Sequence, residues 1–292
     1  MGSDVTARPP VVPQLIVTDL DGTFLSPDGT VSELNRAAVR AAQEVGIPVL
    51  IATGRPVRWL EVIRDLPGAH PTVIASNGAV LYDLGTRSML ARLCVDTEVA
   101  LAAVGRIRAA LPAAAFGFES GARFGYEPAY RTWPVDTVLD PAMFTGSAEE
   151  IVRREPFVKM LVQDRTLSPD QLLEEVRTVV GNTLTVTHSA THDFGLVEVS
   201  GPGVSKASML RRCCRRLGVD PAAVAAFGDM PNDLDMLTFA GMPHVVANAH
   251  PLLLADRYPV VPSNDESGVG RTILRWVETV RSTGAAVPTL TA

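Results

Sequence analysis

Short apolar runs alternate with helix-like patterns in the first and last parts of this 292-residue chain, and this alternation constrains the fold more than any other feature. The apolar runs lie at 14–20, 48–52, 72–75 and 224–227, and the helical patterns lie at 32–45, 57–65 and 206–217. Strands that alternate with helices form a mainly parallel sheet covered by helices on both faces. The sequence therefore predicts an α/β fold with a doubly wound, mainly parallel sheet.

The rhythm changes in the middle of the chain. Two helical segments, at 97–111 and 169–180, are interspersed there with strand-like runs at 157–163 and 183–187. We interpret this part as a separate α+β module, called the cap below, that is inserted into the α/β domain. The predicted cap spans 84–190, and the predicted core domain spans 1–83 and 191–292.

Composition excludes several classes of protein. Hydrophobic residues make up 47% of the chain and charged residues 20%, which is typical of a folded globule and too apolar for a disordered chain. The formal net charge is -6, whereas proteins that bind nucleic acid usually present a basic face. The cluster Arg211, Arg212, Arg215 and Arg216 has the spacing of a solvated helix face. We therefore expect no nucleic-acid partner.

Targeting signals and cysteine patterns are also lacking in the sequence. The N-terminal residues have neither the basic start nor the apolar core of a signal peptide, and no run approaches the roughly 20 apolar residues of a membrane span. The three cysteines, Cys94, Cys213 and Cys214, form neither a disulfide framework nor a C-x-x-C metal site. We expect a cytoplasmic protein without a membrane partner. The oligomeric state is left open.

The strongest chemical signal is the sequence Asp19-Leu20-Asp21-Gly22-Thr23 at the end of the first apolar run. Residues two apart in a strand point to the same side, so the two carboxylates share a face. Ligands of open parallel sheets bind beyond the carboxyl ends of strands. Two adjacent carboxylates repel each other unless a cation or proton lies between them. The pair, with one more distant acid, suits Mg²⁺.

Two further motifs could bind an anion, one after a predicted strand and one at the start of a predicted helix. Thr53 and Gly54 come directly after the second apolar run, where a hydroxyl and a backbone N–H at a helix start can bind an anion. Lys206 begins the helix predicted at 206–217, where its charge opposes the helix dipole, so an anionic partner is worth considering. A nucleotide-binding P-loop is excluded because Ser205 and Ala207 flank the lysine where that motif needs Gly and Ser or Thr.

The fourth signal is the run from Gly228 to Asp233, directly after a buried strand. Asp229 stands at the strand end, while Asn232 and Asp233 lie in the first turn of a predicted helix. Helix capping explains one acid comfortably, but two acids and an Asn less well. Four chain segments therefore deliver acids, a hydroxyl and an ammonium to one edge of the sheet.

Taken in order, these four motifs resemble those of the haloacid dehalogenase superfamily of phosphohydrolases. The match is most similar to its Cof-type branch, which carries an inserted C2 (IIB) cap after the third strand. The stretches 76–79, 248–249 and 263–269 also resemble that branch. The resemblance covers about two-thirds of the chain, and it covers the middle only in size and position.

The resemblance implies a mechanism and a set of site residues. Asp19 would attack phosphorus to give an aspartyl-phosphate, and Asp21 would act as general acid and then general base. Mg²⁺ would be held by Asp19, the carbonyl of Asp21 and Asp229, and Asp233 would brace Lys206 or the waters of the metal. The implied phosphate-binding groups belong to Leu20, Thr53, Gly54, Lys206 and Asn232.

The cap would act as a lid that selects the leaving group. The substrate of the protein is expected to be a small phosphorylated metabolite. Sugar phosphates are the first candidates, and phosphorylated cofactors such as pyridoxal phosphate or flavin mononucleotide are the next. The candidate substrate contacts are Arg55, Asn77, His192 and Asp193. Other polar residues of the cap, including His188, are expected to lie at the surface.

Three alternatives remain at this stage. A phosphomutase of the same superfamily uses the same catalytic set but retains a bisphosphate intermediate. A non-catalytic protein that binds a phosphorylated ligand would require inert acids. A response-regulator receiver also has clustered acids, but its phosphorylated Asp ends a later strand, and the length and the cap argue against it.

Overall fold

The computed structural model describes residues 12–131, 142–189, 193–285 and 287. Fourteen strands and eight α-helices are assigned within these residues. The helices are α1 (Glu33–Glu44), α2 (Thr97–Ala110), α3 (Ala148–Arg154), α4 (Pro169–Val180), α5 (Lys206–Leu217), α6 (Leu234–Phe239), α7 (Pro251–Leu254) and α8 (Gly268–Thr283). Within the part of the chain that is described, no helix has the length and apolar character that a membrane crossing needs.

The larger sheet has eight strands and forms the core domain. It contains β1 (Leu15–Thr18), β2 (Val49–Ala52), β3 (Ala69–Ala75), β4 (Val80–Asp83), β5 (Ser88–Arg92), β12 (Val224–Gly228), β13 (Met242–Val246) and β14 (Val260–Val261). Their order is β14-β13-β12-β1-β2-β3-β4-β5. All pairs from β14 to β3 are parallel, and β4 and β5 add antiparallel strands at one edge. The predicted mainly parallel α/β sheet is confirmed.

Strand β1 lies at the centre of this sheet, between β2 and β12. Residue Ile16 is in register with Val49 on one side and with Ala225 on the other. All four residues of β1 are buried, because a parallel strand in this position is covered on both faces. The chain leaves β1 in one direction to β2 and returns from the other side to β12, and such a switch point is where open α/β sheets bind ligands.

Helix α1 shows how local sequence positions an element. Ser32 caps its start by accepting a hydrogen bond from the backbone N–H of Asn35, as its position before the helical pattern predicts. The side chain of Asn35 is fully buried. It donates to the carbonyl of Phe24 at 2.7 Å and accepts from the N–H of Gly270 at 2.9 Å. One side chain therefore joins α1 to the loop after β1 and to α8.

The smaller sheet forms the cap, with helices α2, α3 and α4 packed against it. It contains β6 (Ala115–Glu119), β7 (Phe124–Tyr126), β8 (Met143–Thr145), β9 (Lys159–Asp164), β10 (Thr185–Thr187) and β11 (Gly195–Ser200) in the order β10-β11-β9-β6-β7-β8. Among the described strand pairs of the cap sheet, only that of β7 and β8 is parallel. The cap has its own hydrophobic cluster, distinct from that of the core sheet.

The two sheets divide the chain later than the predicted domain boundaries. Strand β5 pairs with β4 in the core sheet, and β11 pairs with β9 in the cap sheet. By sheet membership, the core therefore extends to residue 92 and the cap to residue 200, whereas the domain bounds of 84 and 190 stay a prediction. The sequence gives little indication of β5, because this half-exposed edge strand has a weak apolar pattern.

Candidate active site

Four chain segments meet at the carboxyl end of the core sheet. Asp19 directly follows β1, and its backbone N–H donates to the carbonyl of Phe227 in β12 at 3.0 Å. Asp229 directly follows β12, while Lys206 begins α5. The nearly buried carboxylates of Asp19 and Asp229 and the buried carboxylate of Asp233 surround the fully buried Lys206 side chain. The sequence predicted this group, and the structure brings its members together.

The ammonium of Lys206 binds two of these carboxylates. It donates to Asp19 Oδ1 at 2.5 Å and to Asp233 Oδ1 at 2.7 Å. Burial alone would lower the pKa of Lys206, but the negative charges of Asp19 and Asp233 raise it overall. The lysine is therefore a permanent cation. Because an ammonium has three donors, one N–H remains for a further anion.

Asp233 is committed on both of its oxygens. Its Oδ1 accepts from Lys206, and its Oδ2 accepts from the backbone N–H groups of Asp229 and Met230, both at 3.1 Å. This carboxylate therefore fixes the loop that carries Asp229 as well as the ammonium. The arrangement is that of a brace for Lys206.

The side chain of Asp229 is held against the turn after β1. Thr23 Oγ1 donates to Asp229 Oδ1 at 2.6 Å. Gly22 has φ +74°, and a Cβ at this position would lie 2.3 Å from Asp229 Oδ2. Glycine is therefore required twice here, for its backbone conformation and for the space that the carboxylate occupies.

The acids of the site carry more negative charge than Lys206 can offset. Burial, followed by the charge of Asp233, raises the pKa of Asp229 to about 7. Burial also raises the pKa of Asp19 well above its usual range, against the opposing charge of Lys206. One oxygen each of Asp19, Asp229 and Asp233 lies within 4.8 Å of the others. A buried, all-oxygen, anionic set of this kind fits a hard dication such as Mg²⁺.

Asp21 lies on the solvent side of this group and is paired with Arg55. The guanidinium of Arg55 donates from Nε to Asp21 Oδ2 at 2.8 Å and from Nη2 to Oδ1 at 2.6 Å. The side chain of Asp21 is 51% exposed. The bond to Asp21 raises the pKa of Arg55. Arg55, predicted as a substrate contact, is therefore occupied by a carboxylate of the site.

The predicted phosphate-binding residues border the same edge of the sheet. Thr53 is buried, and its hydroxyl accepts from the backbone N–H of Arg55 at 3.0 Å. The side chain of Leu20 lies in the hydrophobic core, so only its backbone is left to contact a ligand. The carbonyl of Gly54 accepts from Lys159 Nζ at 2.8 Å.

A chain of polar contacts joins this edge to the cap. Asn232 Nδ2 donates to Asn77 Oδ1 at 3.0 Å, and Asn77 Nδ2 donates to Glu198 Oε2 at 2.8 Å. Glu198, in β11, also forms a buried ion pair with Lys159 in β9. The sequence interpretation missed both charged residues because they lie in cap strands without a motif. A single charge within an otherwise apolar run, as in 157–162 and 194–199, is the signal that could have found them.

The polarity of this chain of contacts fixes how the two amides are oriented. Glu198 can only accept, so Asn77 must present its Nδ2 to it and its Oδ1 to Asn232. Asn77 is therefore buried in a link between core and cap, and its backbone is held at φ 55°. Asn232 must give Nδ2 to Asn77, and its Oδ1 has no hydrogen-bond partner among the described residues.

A cavity of about 640 Å³ lies between the core edge and the cap. Asp19, Asp21, Asn232 and Gly54 line it from the core, and Lys159 and Glu198 line it from the cap. Asp193, predicted as a substrate contact, is exposed and borders a different cavity of about 280 Å³ instead. Asp193 precedes β11 of the cap sheet, so it does not lie where the chain re-enters the core. His192, the other candidate there, lies outside the described residues.

The fold and this site define a class of protein, and comparison with known sequences agrees. The sequence profile of haloacid dehalogenase-like hydrolases matches residues 16–273. The chain belongs to this family. The predicted resemblance to the superfamily, and to its branch with an inserted cap, is confirmed.

Individual relatives support the same assignment. A 5-amino-6-(5-phospho-D-ribitylamino)uracil phosphatase from Bacillus subtilis is 24% identical over 266 residues, which cover 90% of this chain and 96% of the relative. A phosphatase of the superfamily from Bacteroides thetaiotaomicron has a similar structure, with a TM-score of 0.77 and 22% identity over 94% of this chain and 99% of its own. A subclass IIB sugar phosphatase gives a TM-score of 0.73 at 19% identity, over 90% of this chain and 98% of its own. The predicted enzyme class, a phosphatase, is confirmed.

Proposed function

We propose that this chain is a Mg²⁺-dependent phosphatase that removes phosphate from small phosphorylated metabolites through an aspartyl-phosphate on Asp19. The observation that carries the proposal is the position of this carboxylate. It lies at the carboxyl end of the central strand, bonded to a buried ammonium at 2.5 Å, and it faces a cavity of about 640 Å³. A nucleophile, a fixed positive charge and room for a small substrate therefore coincide.

The first step is attack by Asp19. Its Oδ1 accepts from Lys206, which leaves Oδ2 to form the bond to phosphorus while the bond from phosphorus to the leaving oxygen breaks. Water then attacks the aspartyl-phosphate, phosphate is released, and the carboxylate returns. Lys206 keeps its charge throughout, because the negative charge of Asp233 stabilises the ammonium at every stage and that of Asp19 adds to it before the attack.

Asp21 serves as the proton donor and acceptor in this proposal. It gives a proton to the leaving oxygen in the first step and takes one from the attacking water in the second. Arg55 holds the carboxylate in one orientation through two hydrogen bonds. In the first step, one of the two bonds from Arg55 must be exchanged for the bond to the leaving oxygen.

The residues that would hold Mg²⁺ are Asp19, the backbone carbonyl of Asp21 and Asp229. When bound, the ion would offset the repulsion between the anionic nucleophile and the anionic phosphate. Thr23 and Asp233 keep Asp229 and its loop in place for this purpose.

Charge that develops on the phosphoryl oxygens would be met by groups that are already in place. Lys206 has its third N–H to offer, and Thr53 offers a buried hydroxyl. The N–H groups of Leu20 and Gly54 and the second N–H of the Asn232 amide complete the set. Positioning by rigid strand ends, rather than movement of these groups, is what would supply the rate.

The cavity walls bear on the substrate class. Beyond the acids, the lining is largely aromatic and aliphatic, and the guanidinium of Arg58 lies over the rings of Trp59 and Phe124 at 5.0 and 5.2 Å. The further apolar wall is formed by Tyr130, Leu161 and Leu196. A planar, partly apolar leaving group suits these walls better than a polyhydroxylated sugar. Phosphorylated cofactors and ring-bearing phosphates therefore precede simple sugar phosphates as candidates, and one relative is named for a uracil-containing phosphate.

The test is release of inorganic phosphate from a panel of phosphorylated metabolites, with Mg²⁺ and after its removal by a chelator. We expect turnover that requires Mg²⁺ and that Asp19→Asn abolishes while the fold persists. Asp193→Asn, at an exposed acid away from the main cavity, is the matched control and retains turnover.

The same panel separates the alternatives. An isomerised phosphate ester without free phosphate would indicate a phosphomutase. Binding without conversion of any compound would indicate a non-catalytic protein. Normal turnover in Asp19→Asn would remove the proposed nucleophile.

A further inference from the structure

A second cluster of metal-ligating side chains lies outside the proposed catalytic centre, where the cap meets the core. Asp170 is in the first turn of α4, His188 follows β10, and His250 precedes α7. One ligand atom from each lies within 4.8 Å of the others. His188 Nε2 is 3.0 Å from Asp170 Oδ1, and His250 Nε2 is 4.0 Å from Asp170 Oδ2.

Burial distinguishes this cluster from an ordinary group of surface residues. The side chains of His188 and His250 are 1% and 11% exposed, whereas that of Asp170 is 64% exposed. The two rings are 5.8 Å apart and nearly perpendicular. Two imidazoles are therefore fixed inside the interface, and a carboxylate closes the cluster on the side of the solvent. His188, expected at the surface from sequence, is instead almost completely enclosed.

We propose that Asp170, His188 and His250 bind a transition-metal dication of the Zn²⁺ class. Two imidazole nitrogens and one carboxylate are a common set of three protein ligands for Zn²⁺, with a fourth position open to water. The exposed side of Asp170 supplies that opening. Mg²⁺ disfavours nitrogen ligands, so the all-oxygen catalytic centre and this nitrogen-containing cluster select different ions.

Metal binding requires a change of tautomer at His250. The backbone N–H of Leu252 donates to His250 Nδ1 at 3.3 Å, so the neutral ring carries its proton on Nε2. A metal takes the Nε2 lone pair, the proton then resides on Nδ1, and the bond from Leu252 is lost. No proton leaves the ring overall. The long distance of that bond keeps the cost of the exchange small.

The ligands come from both parts of the molecule. Asp170 and His188 belong to the cap, whereas His250 belongs to the core and its backbone N–H donates to the carbonyl of Asp229 at 2.7 Å. A metal in this cluster therefore holds the cap against the core, one hydrogen bond away from the catalytic loop. Since lids must open to release product, occupancy slows turnover.

The binding experiment uses the full chain with Cys94→Ser, which removes the exposed thiol as a competing ligand. Zn²⁺ is titrated by equilibrium dialysis in excess Mg²⁺, and Co²⁺ is followed by its visible absorption. We expect one Zn²⁺ per chain and a tetrahedral Co²⁺ spectrum. Asp170→Asn and His250→Gln each weaken binding by at least about 10-fold, since loss of even an outer-shell partner costs that much. His70→Gln, a histidine elsewhere on the core, is the matched control.

Two results would overturn the proposal. The site does not exist if the Cys94→Ser protein binds Zn²⁺ no more tightly than its His250→Gln derivative. Asp170→Asn is a second test of Zn²⁺ binding. Because Asp170 is exposed, we expect this variant to keep its fold, which circular dichroism checks. The bridging role is wrong if Zn²⁺ slows phosphate release equally in the Cys94→Ser protein and in its His250→Gln derivative. The binding result is independent of any phosphatase activity.

Discussion

At the scale of single residues, Gly22 links the turn after β1 to the position of Asp229. The residue combines φ +74° with a hypothetical Cβ 2.3 Å from Asp229 Oδ2. Gly22→Ala should therefore displace this carboxylate and raise the Mg²⁺ concentration needed for half-maximal turnover. A displacement of about 1 Å near reacting atoms costs on the order of 10²-fold in rate. Phosphate release over a Mg²⁺ titration measures both effects.

Gly29 provides the matched control for this prediction. It has a similar φ of +79°, but a Cβ there would contact nothing within 4 Å. Gly29→Ala should therefore cost only the backbone strain of an L-residue in the left-handed region, about 1–2 kcal/mol of stability, with an unchanged Mg²⁺ requirement. Equal Mg²⁺ requirements in the two variants would contradict the role given to Gly22.

The half-buried ring of His244 should make the stability of the fold depend on pH. Its ring packs against Phe227 and Trp276, and burial lowers its pKa below 6.5. Below about pH 6.5, His244 binds a proton in the unfolded chain but not yet in the folded chain. The stability that neutral His244 contributes is therefore complete above this pH and is lost as the pH falls towards the folded pKa. His244→Gln should lose less stability than the wild type between about pH 8 and pH 5.5. Urea unfolding at both pH values checks this, and identical losses would refute it.

The sequence is informative about the candidate active-site residues because their signals are local. Asp19, Lys206 and Asp229 each stand at a strand or helix end, and parallel topology brings such ends together. Pairings between distant segments leave no local signal. The bond from Arg55 to Asp21 and the clustering of His188 with His250 depend on how loops and cap pack, which periodicity does not encode.

At the scale of secondary-structure elements, strongly patterned helices were predictable almost to the residue. The patterns at 169–180 and 206–217 coincide with α4 and α5, because each starts at a Ser cap and carries one apolar face. The helix predicted at 57–65 is instead a 3₁₀ helix, Val57–Ile63. The sheet to which β5 and β11 belong is decided by their pairing partners, which composition does not reveal.

An ion pair between strands β9 and β11 anchors the cap to the core. Lys159 and Glu198 form a buried ion pair that also bonds Gly54 and Asn77 of the core. Glu198→Gln leaves the ammonium without its counter-charge, which costs about 3–5 kcal/mol in a buried pair. We expect a lower stability in urea and a higher KM, because the closed position of the cap loses two of its anchors.

Glu155→Gln is the control for that experiment. Glu155 pairs with Arg123 on the partly exposed surface of the cap at 3.3 Å, and exposed pairs contribute about 0–1 kcal/mol. This variant should leave both stability and KM nearly unchanged. If Glu198→Gln behaved in the same way, the ion pair would not be an anchor of the cap.

At the scale of the whole molecule, the arrangement places a cluster of acids at the interface between two independently packed hydrophobic clusters. The core cluster contains the strands that carry Asp19 and Asp229, and the cap cluster contains none of the proposed ligands of Mg²⁺. An ion bound at these acids therefore stabilises the core directly. It affects the cap only through contacts such as that of Lys159 with Gly54.

Removal of Mg²⁺ tests this division of the molecule. A ligand that binds only the folded state adds about 2.7 kcal/mol of stability at a concentration 100 times its Kd, so excess Mg²⁺ should raise the Tm of the wild-type chain and a chelator should reverse the rise. Asp229→Asn should abolish the rise, because it replaces a buried carboxylate proposed to bind the ion with a neutral amide. Asp170→Asn, which alters the nitrogen-containing cluster, should keep it. A rise that persists in Asp229→Asn would place the ion elsewhere in the molecule, since differential scanning calorimetry reports binding wherever it occurs.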